Sequence, residues 1–301
     1  MGNTNSTMHK FSLYLTLNLL FAFNLGAQQL TGSIRLEQGQ TMVIRMDVNN
    51  TMAQQAAGRV IDFKITGTAI HQYAVLKASV TGYRLRHEVK HLQFNFSGMG
   101  AKREFDSDKP EDMKGPFGSQ AKEILSKSYE MTIDTNGTVL DVSPERIEVS
   151  KVEDRMSFIF EMLSDLTAIV VPPAKGSRSF FQLLPDHSVT PGESWDVSTN
   201  TETDKATTQY TYQGSTATTD SIAVKGSSSN IVKVDRMGVQ TKTNMTSAIE
   251  GMIARDKSTG IILFKHTKIE STGTTEAAGT TMPIAATTNI SIAAGLEKRK
   301  K

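Results

Sequence analysis

Residues 129–142 read Tyr-Glu-Met-Thr-Ile-Asp-Thr-Asn-Gly-Thr-Val-Leu-Asp-Val. Tyr129, Met131 and Ile133 alternate with Glu130 and Thr132, the period of a strand with one dry and one wet face. Asn136-Gly137 supplies the positive φ angles of a tight turn, so 129–134 and 138–142 are expected to pair as a hairpin. The same alternation runs upstream. Met42, Ile44, Met46 and Val48 interleave with Val43, Arg45 and Asp47, and Ile61, Phe63 and Ile65 interleave with Asp62, Lys64 and Thr66. Strands wet on one side favour antiparallel over parallel pairing.

Downstream the period changes. Val149, Val152, Met156, Ile159, Leu163 and Leu166 are spaced as one stripe of a helix over 144–168. Ser143 is placed to cap it, Pro144 suits its first position, and Pro172-Pro173 bars its continuation. Phe158, Phe160 and Met162 widen its apolar face. A shorter helix is expected at 119–127, with Ala121, Ile124 and Leu125 inward. After Pro185 strands return, poorer in large apolar residues. Of 35 threonines, 22 lie from Thr190 onward, and threonine suits a strand while keeping its surface polar.

The halves resemble each other. Gln38-Gly39-Gln40-Thr41 opens a strand in the first, and Pro191-Gly192-Glu193-Ser194-Trp195 opens one in the second. The 131–140 hairpin has a counterpart at 252–262, each with a polar turn that ends in glycine. The expectation is a mainly β (α+β) chain: curved antiparallel sheets, a duplicated β unit, and one long amphipathic helix between the copies. The boundaries are an N-terminal half at 28–142, a connecting helix at 143–175, a threonine-rich half at 176–296 and a basic tail at 297–301.

The first residues read as an export signal. Phe11 to Ala27 is an uncharged apolar run behind His9-Lys10, and small residues Gly26 and Ala27 mark a cleavage point. Either Met1 or Met8 can start it, and a retained anchor is the alternative. No later apolar run reaches 18 residues, so no membrane-spanning segment is expected after signal removal. The expected location is a bacterial periplasm or the exterior.

Composition narrows the chemistry. In 301 residues, 33 Lys and Arg against 31 Asp and Glu give a net charge of +2, which removes a global electrostatic case for nucleic acid. Without cysteine there is no disulfide, thiolate metal site or cysteine nucleophile. His87-Glu88-Val89-Lys90-His91 fits H-E-x-x-H, which binds zinc when a helix sets both histidines on one face. Here the context is strand, with Tyr83, Leu85, His87, Val89 and His91 on one side. Histidines four apart on a strand are separated by about 13 Å, too far for one ion. Were the segment helical, Glu104, Glu111 or Glu123 would be the third ligand. Asp106, Asp108, Glu111 and Asp112 crowd one loop, but Pro110 and Phe117 do not fit an EF-hand, and a solvated turn is expected. Neither a nucleophile elbow nor a phosphate loop is present, and no cofactor is called for. Trp195, the only tryptophan, is expected to anchor the core at a strand start.

The chain also resembles domain-of-unknown-function family 6263, secreted proteins of Bacteroidota. The resemblance rests on Leu36-Glu37-Gln38-Gly39-Gln40-Thr41, Glu104-Phe105-Asp106-Ser107-Asp108-Lys109-Pro110, the 129–140 hairpin, Leu184-Pro185, and Pro191 to Trp195. It implies export and a β-rich architecture, and it supplies no catalytic residues.

The expected function is a non-catalytic envelope protein holding a lipid or other apolar or amphipathic molecule. Met131, Met156, Phe158, Ile159, Phe160, Met162 and Leu163 are the candidate liners. The alternatives are a structural module that contacts another envelope protein or a glycan, and a zinc-dependent hydrolase built on His87, Glu88 and His91.

Overall fold

The computed structural model describes residues 29–56, 58–147, 157–236 and 239–297. The expected export signal, Met156 and the last four residues of the basic tail lie outside them. Twelve strands form one open antiparallel sheet. They are β1 (Thr41–Ala56), β2 (Arg59–Ser79), β3 (Gly82–Gly98), β4 (Ala101–Asp106), β5 (Ser128–Asp134), β6 (Val139–Ser143), β7 (Ser194–Asn200), β8 (Asp204–Ser215), β9 (Thr219–Arg236), β10 (Val239–Asp256), β11 (Ile262–Ala277) and β12 (Thr280–Glu297). Their order is β6-β5-β3-β2-β1-β12-β11-β10-β9-β8-β7, with β4 beside β5 on the free edge of β3.

The path is two meanders. β1-β2-β3-β5-β6 and β7-β8-β9-β10-β11 run in the same order, and β12 joins them by pairing β11 on one side and β1 on the other. Each meander opens with the same turn. Gly39 (φ 85°) donates to the Val75 carbonyl at 2.9 Å, and the Glu37 amide donates to Gln40 Oε1 at 2.9 Å. Gly192 (φ 88°) donates to the Tyr212 carbonyl at 2.7 Å, and the Thr190 amide donates to Glu193 Oε2 at 2.9 Å. The two hairpins named from sequence are present as β5–β6 and β10–β11, each turn held by an aspartate. Asp134 Oδ1 accepts from the Asn136 and Thr138 amides, and Asp256 Oδ1 from the Thr259 amide.

A strap at 30–36 ties these hairpins together. Ile34 donates to the Thr135 carbonyl and Arg35 to the Thr259 carbonyl, both at 2.7 Å. Buried Arg255 holds the strap from below, donating to Thr31 O (2.9 Å), Ser33 O (3.1 Å), Gly260 O (2.9 Å) and Asp220 Oδ2 (3.1 Å).

The short helix is found as α1 (Gly118–Ser126), with Ala121 and Ile124 buried. The long amphipathic helix is not. Ser143 ends β6, residues 144–147 are non-helical, residues 148–156 lie outside the described residues, and among the described residues of this stretch helix is confined to α2 (Ser157–Met162), α3 (Ser164–Thr167) and a 3-10 turn at Ala168–Val170. Leu163 breaks the helix with φ −99° and ψ 7°. The stripe spacing was real, since Ile159, Leu163 and Leu166 are all buried. Beyond the break, two carbonyls of the segment are taken by side chains of the sheet, Leu166 O by His71 and Ile169 O by Tyr129.

Two apolar clusters share one face, here called the inner face. The first spans β1–β6 under α1–α3 and reaches Ile292 of β12; the second gathers Trp195, Tyr212, Ile222, Val224 and Ile253 with Leu30, Leu184 and Val189. Trp195 anchors the second as expected, its indole N–H donating to Leu183 O at 3.2 Å.

Candidate functional site

The H-E-x-x-H stretch lies in β3, as the strand reading requires. A bulge puts its histidines on different faces. Ile70 pairs with His91 but His71 pairs with Val89, so Lys90 is an extra residue on β3. One extra residue reverses the faces beyond it. His87 is therefore buried on the inner face, and His91 stands on the outer one. That corrects the expectation that both share a face, and it sets the two rings on opposite sides of the sheet.

His87 meets His71 of β2, with His87 Nε2 at 3.1 Å from His71 Nδ1 and the rings stacked. His71 Nε2 is 2.8 Å from Leu166 O, which only accepts, so Nε2 carries the proton. Burial lowers the His71 pKa to about 4 and, with the neighbouring His71, the His87 pKa to about 3. Both rings are therefore neutral at pH 7, and His87 Nε2 donates to His71 Nδ1. His87 Nδ1 is left as a buried acceptor without a partner among the described residues. Beside them a second relay runs the same way: Tyr73 O–H to Tyr129, and Tyr129 O–H to Ile169 O at 3.1 Å. Burial raises the Tyr129 pKa to about 12. The relays end on carbonyls of α3 (Leu166) and of the 3-10 turn after it (Ile169), satisfying groups that a helix end otherwise leaves bare. This is anchoring chemistry, sealed from solvent. The sequence reading missed His71, Tyr73 and Tyr129 as a group; the signal available was that His71 and Tyr73 keep the inner parity of Phe63 and Ile65.

On the outer face, His91 Nδ1 is 3.2 Å from Asp108 Oδ2 and 3.9 Å from Asp106 Oδ1, close enough together for a shared cation. The carboxylates already serve the turn: Asp106 Oδ1 accepts from the Asp108 amide, and Asp112 Oδ2 from the Asp106 amide.

Of the candidate liners, Met131, Ile159, Met162 and Leu163 are buried and Phe160 half-buried, all within the first cluster. Phe158 lies in α2. The segment seats tightly: a Cβ on Gly67 would fall 2.6 Å from Leu166 Cδ1 and 2.7 Å from Leu163 Cδ2.

Between the clusters the inner face is different. Cross-strand partners make three parallel rows. The first runs Tyr212, Ile222, Ile253, Lys265, Ile292, Met46, Ala69, Leu92. The second runs Val224, Gly251, Thr267, Ile290, Val48, Gly67. The third runs Ile249, Ile269, Thr288, Asn50, Ile65. Helices pack over β1–β3, whereas β10–β12 are contacted chiefly by neighbouring strands. Ile249, Ile269 and Ile290 on these strands are only half-buried, as are Met245, Met282 and Ile284 beyond them. Lys265, half-buried, has no hydrogen-bond or ion-pair partner among the described residues, and burial lowers its pKa. Thr267 Oγ1 and Asn50 Oδ1 are buried and likewise unpartnered.

Among the described residues no helix is long and apolar enough to cross a membrane. The sequence matches the family of unknown function DUF6263 at residues 81–158 and 175–262. No curated protein matches it. Among solved structures it is similar to lipovitellin, in a study of lipid–protein interactions, with a TM-score of 0.50 and 8% identity over 89% of this chain and 26% of that one. The chain thus spans about a quarter of the lipovitellin chain, and the likeness is one of fold. An outer membrane channel from Pseudomonas putida F1 aligns with a TM-score of 0.24 and 6% identity, over 87% of this chain and 98% of that one.

Proposed function

The chain belongs to the DUF6263 family, and we propose that it is an exported, non-catalytic envelope protein that holds an apolar or amphipathic molecule on the inner face of β10–β12. The observation that carries this is the cross-strand pair of half-buried Ile249 and Ile269 on β10 and β11, strands contacted chiefly by neighbouring strands, whereas the inner face of β1–β3 is packed beneath helices. Half-covered isoleucines gain roughly 25 cal/mol for each further Å² removed from water, which a bound acyl chain supplies. The likeness in fold to lipovitellin, solved in a study of its lipid–protein interactions, agrees with this use of a broad antiparallel sheet. We read the two meanders as copies of one β unit, the first specialised for folding and the second for binding. The ligand class expected from sequence is kept, and its site moves from the helix-facing cluster to the uncapped strands.

Absence of catalysis fits the two features that could have served it. The buried histidines end on carbonyls, and the H-E-x-x-H histidines face opposite ways. The test is titration of the natively purified chain with a polarity-sensitive fluorescent fatty probe, followed by mass spectrometry of organic extracts. Saturable enhancement at one site per chain, reduced by Ile269→Asp, is expected; no enhancement and clean extracts would refute the reading.

A further inference from the structure

We propose that Lys265 and Thr267 form the headgroup station for an anionic amphiphile, one bearing a carboxylate or a phosphate on an apolar chain. The inference rests on the inner-face reading above and names the class of ligand. Lys265 is the one charged residue in its eight-strand row, with Ile253 of the second cluster on one side and Ile292 of the first on the other. An ammonium held among apolar neighbours, with no counter-charge among the described residues, is costly, and the cost falls when an anion accompanies it. Thr267 follows two residues later on the same face, about 6.6 Å along the strand. It is 6% exposed, and its hydroxyl has no partner among the described residues. Diagonally beyond it lie Thr288 and Asn50, cross-strand partners of each other, so the polar side chains form one oblique band through otherwise apolar rows. Along that band Lys265 Nζ and Thr267 Oγ–H donate to the anion. The flanking isoleucines take the chain. A neutral apolar ligand would leave both donors as they are and gains nothing from them.

The experiment displaces the fluorescent probe from the full chain with oleate, dodecyl phosphate and oleyl alcohol. It compares wild type with Lys265→Met, Lys265→Arg and Thr267→Val, each checked for fold by circular dichroism. A charge-assisted contact in a half-buried site predicts that both anions bind wild type about tenfold more tightly than the alcohol. Lys265→Met erases that margin and Lys265→Arg keeps most of it, while Thr267→Val narrows it. A better fit for oleate marks a carboxylate head, and a better fit for dodecyl phosphate a phosphate head; either supports the station. Equal binding of all three ligands, unchanged in Lys265→Met, overturns the station while leaving the inner-face site standing. Failure of every ligand to displace or bind removes the inner-face reading itself, and the station with it.

Discussion

The two meanders begin with the same glycine turn and follow the same strand order, yet they bury different amounts of themselves. In the first, Phe63, Ile65, Tyr73, Leu85, Leu92 and Phe94 are all buried beneath α1–α3. In the second the buried set is short, Tyr212, Ile222, Val224 and Ile253 with Trp195, and it ends where β9–β11 continue as threonine- and serine-rich strands. Strand pairing alone thus carries the far part of the second half, since backbone ladders need no large side chains. The difference teaches that a common β path fixes the frame, and that the helical cover decides which copy becomes core and which stays open.

The seam between the copies is where that comparison breaks most sharply. Arg255 and Asp220 are both buried, and Arg255 also holds three carbonyls. Arg255→Met is expected to cost about 4 kcal/mol, because it strands a buried carboxylate. The exposed Arg45–Asp47 pair at 2.8 Å is the control; Arg45→Met should cost under about 0.5 kcal/mol. Urea unfolding of both variants measures this. Equal costs would mean that the strap does not join the halves.

Next in size is the packing contrast. Leu166 is fully buried over Gly67, so Leu166→Ala should lose about 3 kcal/mol. Ile269→Ala, on the uncapped strands, should lose about 1 kcal/mol or less but weaken ligand retention. If denaturant midpoints shift alike, the second half is packed as the first is, and the open-face reading fails.

Acid should strike the covered half. His71 and His87 have folded pKa values of about 4 and about 3, below the ordinary 6.5. Between those limits the unfolded chain binds more protons, so stability is complete above pH 6.5 and falls as pH drops. His71 alone contributes a loss of about 2.5 kcal/mol by pH 4.5. Asp165 on α3, whose pKa burial raises, acts in the opposite sense and only at the acid end. Thermal melts of wild type and of the His71→Phe/His87→Phe double variant at pH 7 and 4.5 provide the check. A double variant just as acid-sensitive as wild type would show that these rings do not set the response.

How much of this was readable follows from which forces are local. Alternation at 42–48, 61–65 and 129–133 named the inner-face residues correctly because a strand's period is built into its backbone. The bulge at Lys90 left no mark in composition, so His91 was assigned to the wrong face. The 149–166 stripe read as a long helix because its apolar spacing is genuine. Its break at Leu163 is accompanied by capture of the Leu166 and Ile169 carbonyls by His71 and Tyr129, 95 and 40 residues away in sequence. Pairing of Thr41 with Glu297 is likewise invisible to any window. The apolar setting of Lys265 appears only once β11 is flanked by Ile253 and Ile292.

The smallest test asks whether the two meanders are equivalent where they look most alike. Gly39 and Gly192 have φ of 85° and 88°, and each donates a hydrogen bond to a carbonyl of the neighbouring strand, Val75 O and Tyr212 O. A side chain there is strained in either copy, so Gly39→Ala and Gly192→Ala should each cost about 1 kcal/mol. The turns carry no share of the helical cover, so the costs should agree within a few tenths of a kcal/mol although the cores beside them differ. A Gly39→Ala cost several times that of Gly192→Ala would show that the covered copy has recruited its turn into the core. The likeness between the copies would then be one of path and not of construction.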